Sequence, residues 1–312
     1  MTTLASAHPT QRSRWILPKT PDESVVKDLA TALSLPEIVC RLLFIRGYVT
    51  AEDAKGFLRP KLDRLHDPLT FLSMDKAVTR LARAVRDQEL IFIHGDYDVD
   101  GICSTTLLTK TILGLGGKAT PFIPLRLEHG YDLSNAGVDA AVEAGAKVVV
   151  TCDCGTSAVA PVARLCELGI DVIVTDHHLP GGDLPNCLSV LNPKRHGCGY
   201  PDKDLAAVGV AFKLALALAR ELGKNENFIW AMLDLVALAT VADVAPLRGE
   251  NRVFVRYGLK MLADTRNIGM RALIRAAGLS GRQLTAGRIG FTLAPRLNAA
   301  GRLGRAIRGV EL

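Results

Sequence analysis

Between residues 90 and 191 the chain alternates two periodicities, and that alternation excludes most folds. Short apolar runs at 90–93, 119–123, 147–151, 171–175 and 188–191 have the length of buried strands. Helical patterns stand between them at 104–113, 135–144 and 157–168. Strands alternating with helices predict a parallel sheet with helices on both faces, an α/β fold. Most runs end in a polar, often acidic, cluster, and ligands of open α/β sheets collect at the carboxyl ends of strands.

The flanks are helical. Residues 1–20 are polar and are expected to fray, and helical patterns open at Pro21-Asp22-Glu23 and at Pro36. Thr50 with Asp53 three positions on is an acidic variant of the capping box. A helix over 75–86 leads into the first strand, and helices dominate after Asp204, at 205–222, 226–241, 250–263, 268–277 and 286–308. The expected division is a helical lead-in over 1–75, an α/β core over 76–247 and a basic helical segment over 248–312.

Charge separates that last segment from the rest. Thirteen Lys and Arg against three acids follow residue 247, a net of +10, so a chain of net charge +6 carries −4 before it. Such asymmetry suits a polyanionic partner. The seven cysteines are scattered with no Cys-x-x-Cys pair, which excludes a zinc ribbon and suggests reduced thiols in a cytoplasmic protein. No stretch approaches the roughly 20 apolar residues of a membrane span, so no membrane partner is expected.

Four clusters carry hard ligands. They are His94-Gly-Asp96-Tyr-Asp98-Val-Asp100-Gly101, Cys152-Asp153-Cys154-Gly155, Asp176-His177-His178 and Ala242-Asp243-Val244. A lone Asp after a strand is usually a cap or turn residue. Four clusters at one edge of a sheet are harder to dismiss. Crowded carboxylates repel one another unless a cation compensates, and carboxylate with imidazole but no thiolate suits Mn²⁺ or Mg²⁺, with imidazole favouring Mn²⁺. The ligands suffice for two ions sharing a carboxylate, a device for cleaving phosphate esters.

These four clusters, in this order, resemble the motifs of the DHH phosphoesterase superfamily. Within it the chain is similar to the RecJ-type exonucleases, which degrade single-stranded DNA from the 5′ end. That narrower resemblance rests on Ile123-Pro-Leu-Arg126-Leu-Glu-His129-Gly130-Tyr131, Leu191-Asn-Pro-Lys194 and Arg296-Leu-Asn298-Ala-Ala-Gly301-Arg302. It implies that Asp98, Asp153, His177 and Asp243 hold one metal, and that Asp96 and the bridging Asp153, with His94 as an optional ligand, hold the other. His178 would orient or protonate the scissile phosphate, and Asp176 would fix an imidazole tautomer. Asp153 and Asp98 would serve catalysis through the metals, and Asp100 would cap a helix. Arg126 and Arg302, and more weakly Arg296 and Asn298, would contact DNA phosphates. Tyr131 would stack on a base.

The resemblance further implies a role in DNA repair and recombination, with a single-strand-binding protein and a helicase as partners. RecJ-type enzymes continue into a second domain and an OB-like domain. This sequence stops inside what resembles the connecting helix, so processive activity is an open expectation. Two other readings stand beside it: a phosphoesterase for oligonucleotides, cyclic dinucleotides or pyrophosphate, and a truncated, inactive DNA-binding or scaffold protein.

Overall fold

The computed structural model describes residues 22–312, apart from the side chains of Leu127 and Leu303. The expected fraying of residues 1–20 lies outside the described residues. The chain divides into two compact units, 1–59 and 60–312. In the first, α1 (Glu23–Leu33), α2 (Glu37–Ile45) and α3 (Ala51–Leu58) enclose a small core of Val26, Leu29, Leu33, Cys40, Leu43 and Ala54. The N-cap half of the capping box at α3 is present: Thr50 Oγ1 accepts from the Asp53 N–H at 3.1 Å, and it also donates to the Asp53 carboxylate at 2.7 Å.

The larger unit holds a five-stranded parallel sheet in the order β2-β1-β3-β4-β5. The strands are β1 (Leu90–Gly95), β2 (Lys118–Phe122), β3 (Val148–Cys152), β4 (Asp171–Thr175) and β5 (Ser189–Leu191). α4 (Met74–Arg86) precedes β1, and α5 (Val99–Gly114) crosses to β2. α6 (Arg126–His129) and α7 (Asn135–Glu143) lead to β3, and α8 (Val159–Glu167) to β4.

Side chains along a strand alternate between faces, and each face has its own core. Ile91, Ile93, Val148, Val150 and Ile173 pack with α4, α5 and α9 (Ala207–Glu221). Phe92, Val149, Val172, Val174 and Val190 pack with Val138 and Ala141 of α7 and Val162 and Leu165 of α8. The helices therefore lie on both faces, as the continuous Val/Ile runs require. Strand order reverses at β1, with β2 on one side and β3 on the other. The crevice beyond the carboxyl ends of β1 and β3 is thus the topological switch point, where open sheets bind ligands.

The remaining helices are α10 (Asn227–Trp230), α11 (Leu233–Ala242), α12 (Gly249–Ala263), α13 (Ile268–Ala276), α14 (Ala286–Arg288), α15 (Ala294–Leu303) and α16 (Ile307–Glu311). The helix expected over 226–241 is two helices, and that over 286–308 is three. A π turn at Ile289–Leu293 precedes Pro295, whose ring cannot donate an N–H to a helix interior, and Gly304 ends α15. A fully buried ion pair ties α9 to α12. Lys213 Nζ donates to Glu250 at 2.6 Å and to the His66 carbonyl at 2.7 Å, and Glu250 also accepts from Tyr200 Oη and from the His66 N–H. Every charge in that network is partnered, which is what permits its burial.

Candidate metal centre

Asp96 leaves the end of β1, and Asp98 caps α5, its Oδ1 accepting from the Gly101 N–H at 3.0 Å. The turn between them is tight enough to need glycine. A Cβ at Gly101 would stand 2.5 Å from the Asp96 carbonyl oxygen. Asp153 follows β3 with φ of +64°, a left-handed backbone that Asp tolerates better than most residues. His177 follows β4, and Asp243 closes α11. The sheet thereby delivers groups distant in sequence to one crevice.

Three overlapping sets of ligand atoms result, each within 4.8 Å: Asp96, Asp98 and Asp153; Asp153, His177 and His178; and Asp100, His177 and Asp243. His177 Nε2 lies 3.3 Å from Asp153 Oδ1, and its Nδ1 lies 3.8 Å from Asp243 Oδ2. Asp96 Oδ1, Asp153 Oδ1 and His177 Nε2 are buried with no hydrogen-bond partner in the structure. Buried polar atoms are almost always partnered. Orphaned acceptors in adjoining ligand sets that share Asp153 fit divalent cations, which would satisfy them.

Electrostatics agree. Burial first, and then the neighbouring Asp98 charge, push the Asp96 carboxyl up to about 7. Burial and then Asp98 likewise push Asp243 up to about 6. Burial, followed by the charges of Asp100 and Asp98, holds Asp153 well above the carboxylate range. Burial, then the nearby His178, lowers His177 to about 4, so its imidazole is neutral and ready to ligate. Without a counter-charge this crevice resists ionisation of its own acids.

His178 is held differently. Its Nδ1 lies 2.7 Å from Asp176 Oδ1, and chiefly through that hydrogen bond its pKa rises. Against burial, the His178 hydrogen bond keeps Asp176 ionised, down to about 2. Asp176 also accepts from the N–H groups of Thr156, His177 and His178, so the expected orientation of an imidazole by Asp176 is present, on His178. The Nε2 of His178 faces the Tyr131 hydroxyl at 3.3 Å, and Tyr131 is half exposed.

Two residues expected at the site make other contacts in the structure. His94 enters none of the three sets, because strand alternation turns it toward α7, on the face shared with Phe92. Its Nδ1 meets Cys154 Sγ at 3.6 Å, and a Cβ on Gly137 would stand 2.6 Å from its Nε2. Asn298, expected at a phosphate, accepts from the Val99 N–H at 3.0 Å through Oδ1 and so fastens the turn carrying Asp96 and Asp98. Asp100 does cap a helix, but that helix is α9: its two oxygens accept from Ala207 and Val208 N–H, each at 2.8 Å. Its second appearance, near His177 at 4.0 Å, follows from that placement.

Arg126 stacks over the Tyr97 ring at 5.1 Å, and Arg302 is close enough to Tyr97 to bias its ionisation. Gly301 presses against the same residue, where a Cβ would lie 2.4 Å from the Tyr97 carbonyl oxygen. Arg296 is exposed and donates to the Thr292 carbonyl one turn back, at 2.6 Å. Sequence reasoning assigned no role to Asp132 and Asn192. Asp132 Oδ1 accepts from the Gly155 N–H at 2.6 Å, and Asn192 Nδ2 donates to Thr156 Oγ1 and to the His178 carbonyl. Both brace the loops that carry Asp153 and His178.

Comparison with known proteins places this geometry. Residues 90–240 match the DHH family, N-terminal domain. The single-stranded-DNA-specific exonuclease RecJ of Bacillus subtilis is 40% identical over 301 residues, 96% of this chain and 37% of that protein. Its Escherichia coli counterpart is 41% identical over 290 residues, 89% of this chain and 49% of its own. A Thermus thermophilus RecJ structure in complex with Mn²⁺ superposes with a TM-score of 0.78 at 33% identity, covering 94% of this chain and 41% of that one. Another exonuclease RecJ, bound to manganese, gives 0.72 at 38% identity, over 80% and 62%. The chain thus spans less than half the length of these curated relatives. With ligands, sheet order and sequence in agreement, residues 90–240 form an N-terminal domain of the DHH family, and the chain is similar to RecJ exonucleases.

Proposed function

We propose that this chain carries the two-metal centre of a nuclease that releases nucleotides from the 5′ end of single-stranded DNA. The observation that carries it is the trio of ligand sets linked to one another through Asp153 and His177, with orphaned buried acceptors among their atoms. Asp98, Asp153, His177 and Asp243 suit one ion, and Asp96 with Asp153 the second. Mn²⁺ or Mg²⁺ bound there would supply a lowered water pKa and positive charge opposite the reacting phosphate.

The chain's own groups do the rest. Asp176 holds His178 Nδ1, which leaves Nε2 turned to the open side, where a protonated ring donates to a phosphate oxygen. Arg126 and Arg302, gathered at Tyr97, suit a terminal phosphate, because a guanidinium bonds two of its oxygens at once. Fixing that end is what makes cleavage proceed from a terminus. DNA repair and recombination, a single-strand-binding protein and a helicase belong to the same reading, in the cytoplasm. Among the described residues no helix is long and apolar enough to cross a membrane.

The test is a Mn²⁺ assay of the 312-residue chain on 5′-labelled single strands, duplex DNA and dinucleotides. Mononucleotide release from single strands is expected. Cleavage confined to dinucleotides would assign the centre to small phosphoesters. Strand binding without cleavage of any substrate would favour the scaffold reading.

A further inference from the structure

We propose that a basic groove remote from the metal centre binds the phosphate backbone of a single nucleic-acid strand. Two cavities of ≈ 620 and ≈ 640 Å³ meet at Asp264 and Thr265, which line both. Lys110, Lys260 and Arg266 line the first, and Arg271, Arg275 and Arg282 line the second. Lys110 lies twelve residues beyond Asp98 on α5, so the groove stands about 18 Å along that helix from the ligand-bearing turn. It is therefore separate from the phosphate at the metals.

The balance of charge is one-sided. Of the two acids in the lining, Asp234 is buried and its Oδ2 accepts from Thr265 Oγ1 at 2.5 Å. Asp264 is exposed at the junction. Among the described residues Arg266, Arg271, Arg275 and Arg282 form no ion pair, whereas Arg41, Arg80, Arg164, Arg220 and Arg248 each have at least one. Arg271 and Arg275 are four apart on α13, which sets their Cβ atoms about 5–6 Å apart and makes them repel. Like charges held together with no carboxylate ion-paired to them, and only Asp264 exposed nearby, leave a surplus that a polyanion supplies the counter-charge for.

The lining also tells which part of a strand is gripped. No Phe, Tyr or Trp lines either cavity, so bases have nothing to stack on. Arginines, with Ser280 and Gln283 as neutral donors, suit phosphate oxygens instead. Binding here would be blind to sequence and steep in salt. The choice of a single strand rests on the proposed substrate of the metal centre; the charge of the groove does not.

The experiment uses the 312-residue chain in EDTA, with fluorescence anisotropy of a labelled oligothymidylate across a salt series. In R271Q/R275Q/R282Q, affinity at low salt should fall at least tenfold. The log–log salt slope should shrink by about two, at about 0.7 per phosphate contact on a single strand. R271K/R275K/R282K, which keeps the charge, should retain most of the slope. An unchanged slope in the glutamine variant overturns the proposal, as does a lysine variant that loses as much as the glutamine one. Polyglutamate that displaces the strand at equal charge concentration would assign the groove to an acidic peptide. Because no metal is present, absence of Mn²⁺-dependent cleavage would count against the metal centre and leave this result standing.

Discussion

Replacing Asp153 by Asn should make the metal-free protein more stable and the metal-loaded protein less so. Asp153 is 2% exposed, belongs to two of the three ligand sets, and keeps Oδ1 without a hydrogen bond. In the absence of cations its carboxylate meets burial and the like charges of Asp100, Asp98, Asp176 and Asp96. Asn is nearly isosteric, tolerates the left-handed φ of +64°, and carries no charge. Removing a buried charge that no partner offsets relieves about 1–3 kcal/mol, and in a unit of this size each kcal/mol moves Tm by about 2–4 °C. Metal acts in the opposite direction, since a ligand at 100 times its Kd stabilises by about 2.7 kcal/mol. Thermal melts with and without Mn²⁺ measure both. The expected pattern is a raised Tm in EDTA, no further rise with Mn²⁺, and no hydrolysis. A variant that melts lower in EDTA yet still gains stability from Mn²⁺ would refute the placement of Asp153 at the cations.

Three further outcomes follow from particular contacts. Gly301→Ala forces a Cβ against the Tyr97 carbonyl and should displace the turn between Asp96 and Asp98, an overpacking effect of about 1–3 kcal/mol; Mn²⁺ affinity by calorimetry should drop, and an unaltered affinity would remove α15 from the site's architecture. Arg302→Ala should lower cleavage of 5′-phosphorylated strands by about 10- to 100-fold, the worth of a charged hydrogen bond, while sparing Mn²⁺ binding; loss of metal affinity would contradict its phosphate role. The metal-free chain should lose stability between pH 6.5 and 8. Asp96 has its folded pKa raised to about 7, so it binds a proton only when folded, and that contribution fades as pH rises through the folded value. His178, also raised, acts with the same sign, while neutral His177 and His94 lose stability only as pH falls below the ordinary imidazole value. Asp96 alone accounts for roughly 0.8 kcal/mol over that window, and saturating Mn²⁺ should flatten the profile. A profile rising with pH in EDTA would be inconsistent with the buried acids.

The strands were legible because Val/Ile runs buried on both faces leave an uninterrupted apolar signal, and their carboxyl ends located the crevice. Helix boundaries were less so. α5 begins at Val99 rather than near 104, because Asp98 is at once the cap and a proposed ligand, and its carboxylate reads as chemistry before it reads as a cap. His94 shows the converse limit: nearness in sequence suggested a ligand, yet alternation along β1 sends it to the opposite face. Asp132, Asn192 and the clasp of Asn298 on Val99 carry no periodic signal. Each is a single polar side chain whose partner is settled only when distant loops meet.

That clasp has a consequence for the order in which the centre is assembled. Asn298 reaches Val99 across 199 positions of sequence, and Gly301 reaches Tyr97 across a similar span. Synthesis runs from the N-terminus, so all the carboxylates and imidazoles, Asp243 included, leave the ribosome before the residues that fix the turn between Asp96 and Asp98. A contact of such long range also closes late in folding, since the loop entropy is lost before the contact returns anything. A nascent chain therefore has its metal ligands early and their fixed geometry only after the basic segment has docked. The proposed nuclease centre is thereby withheld until that docking is done.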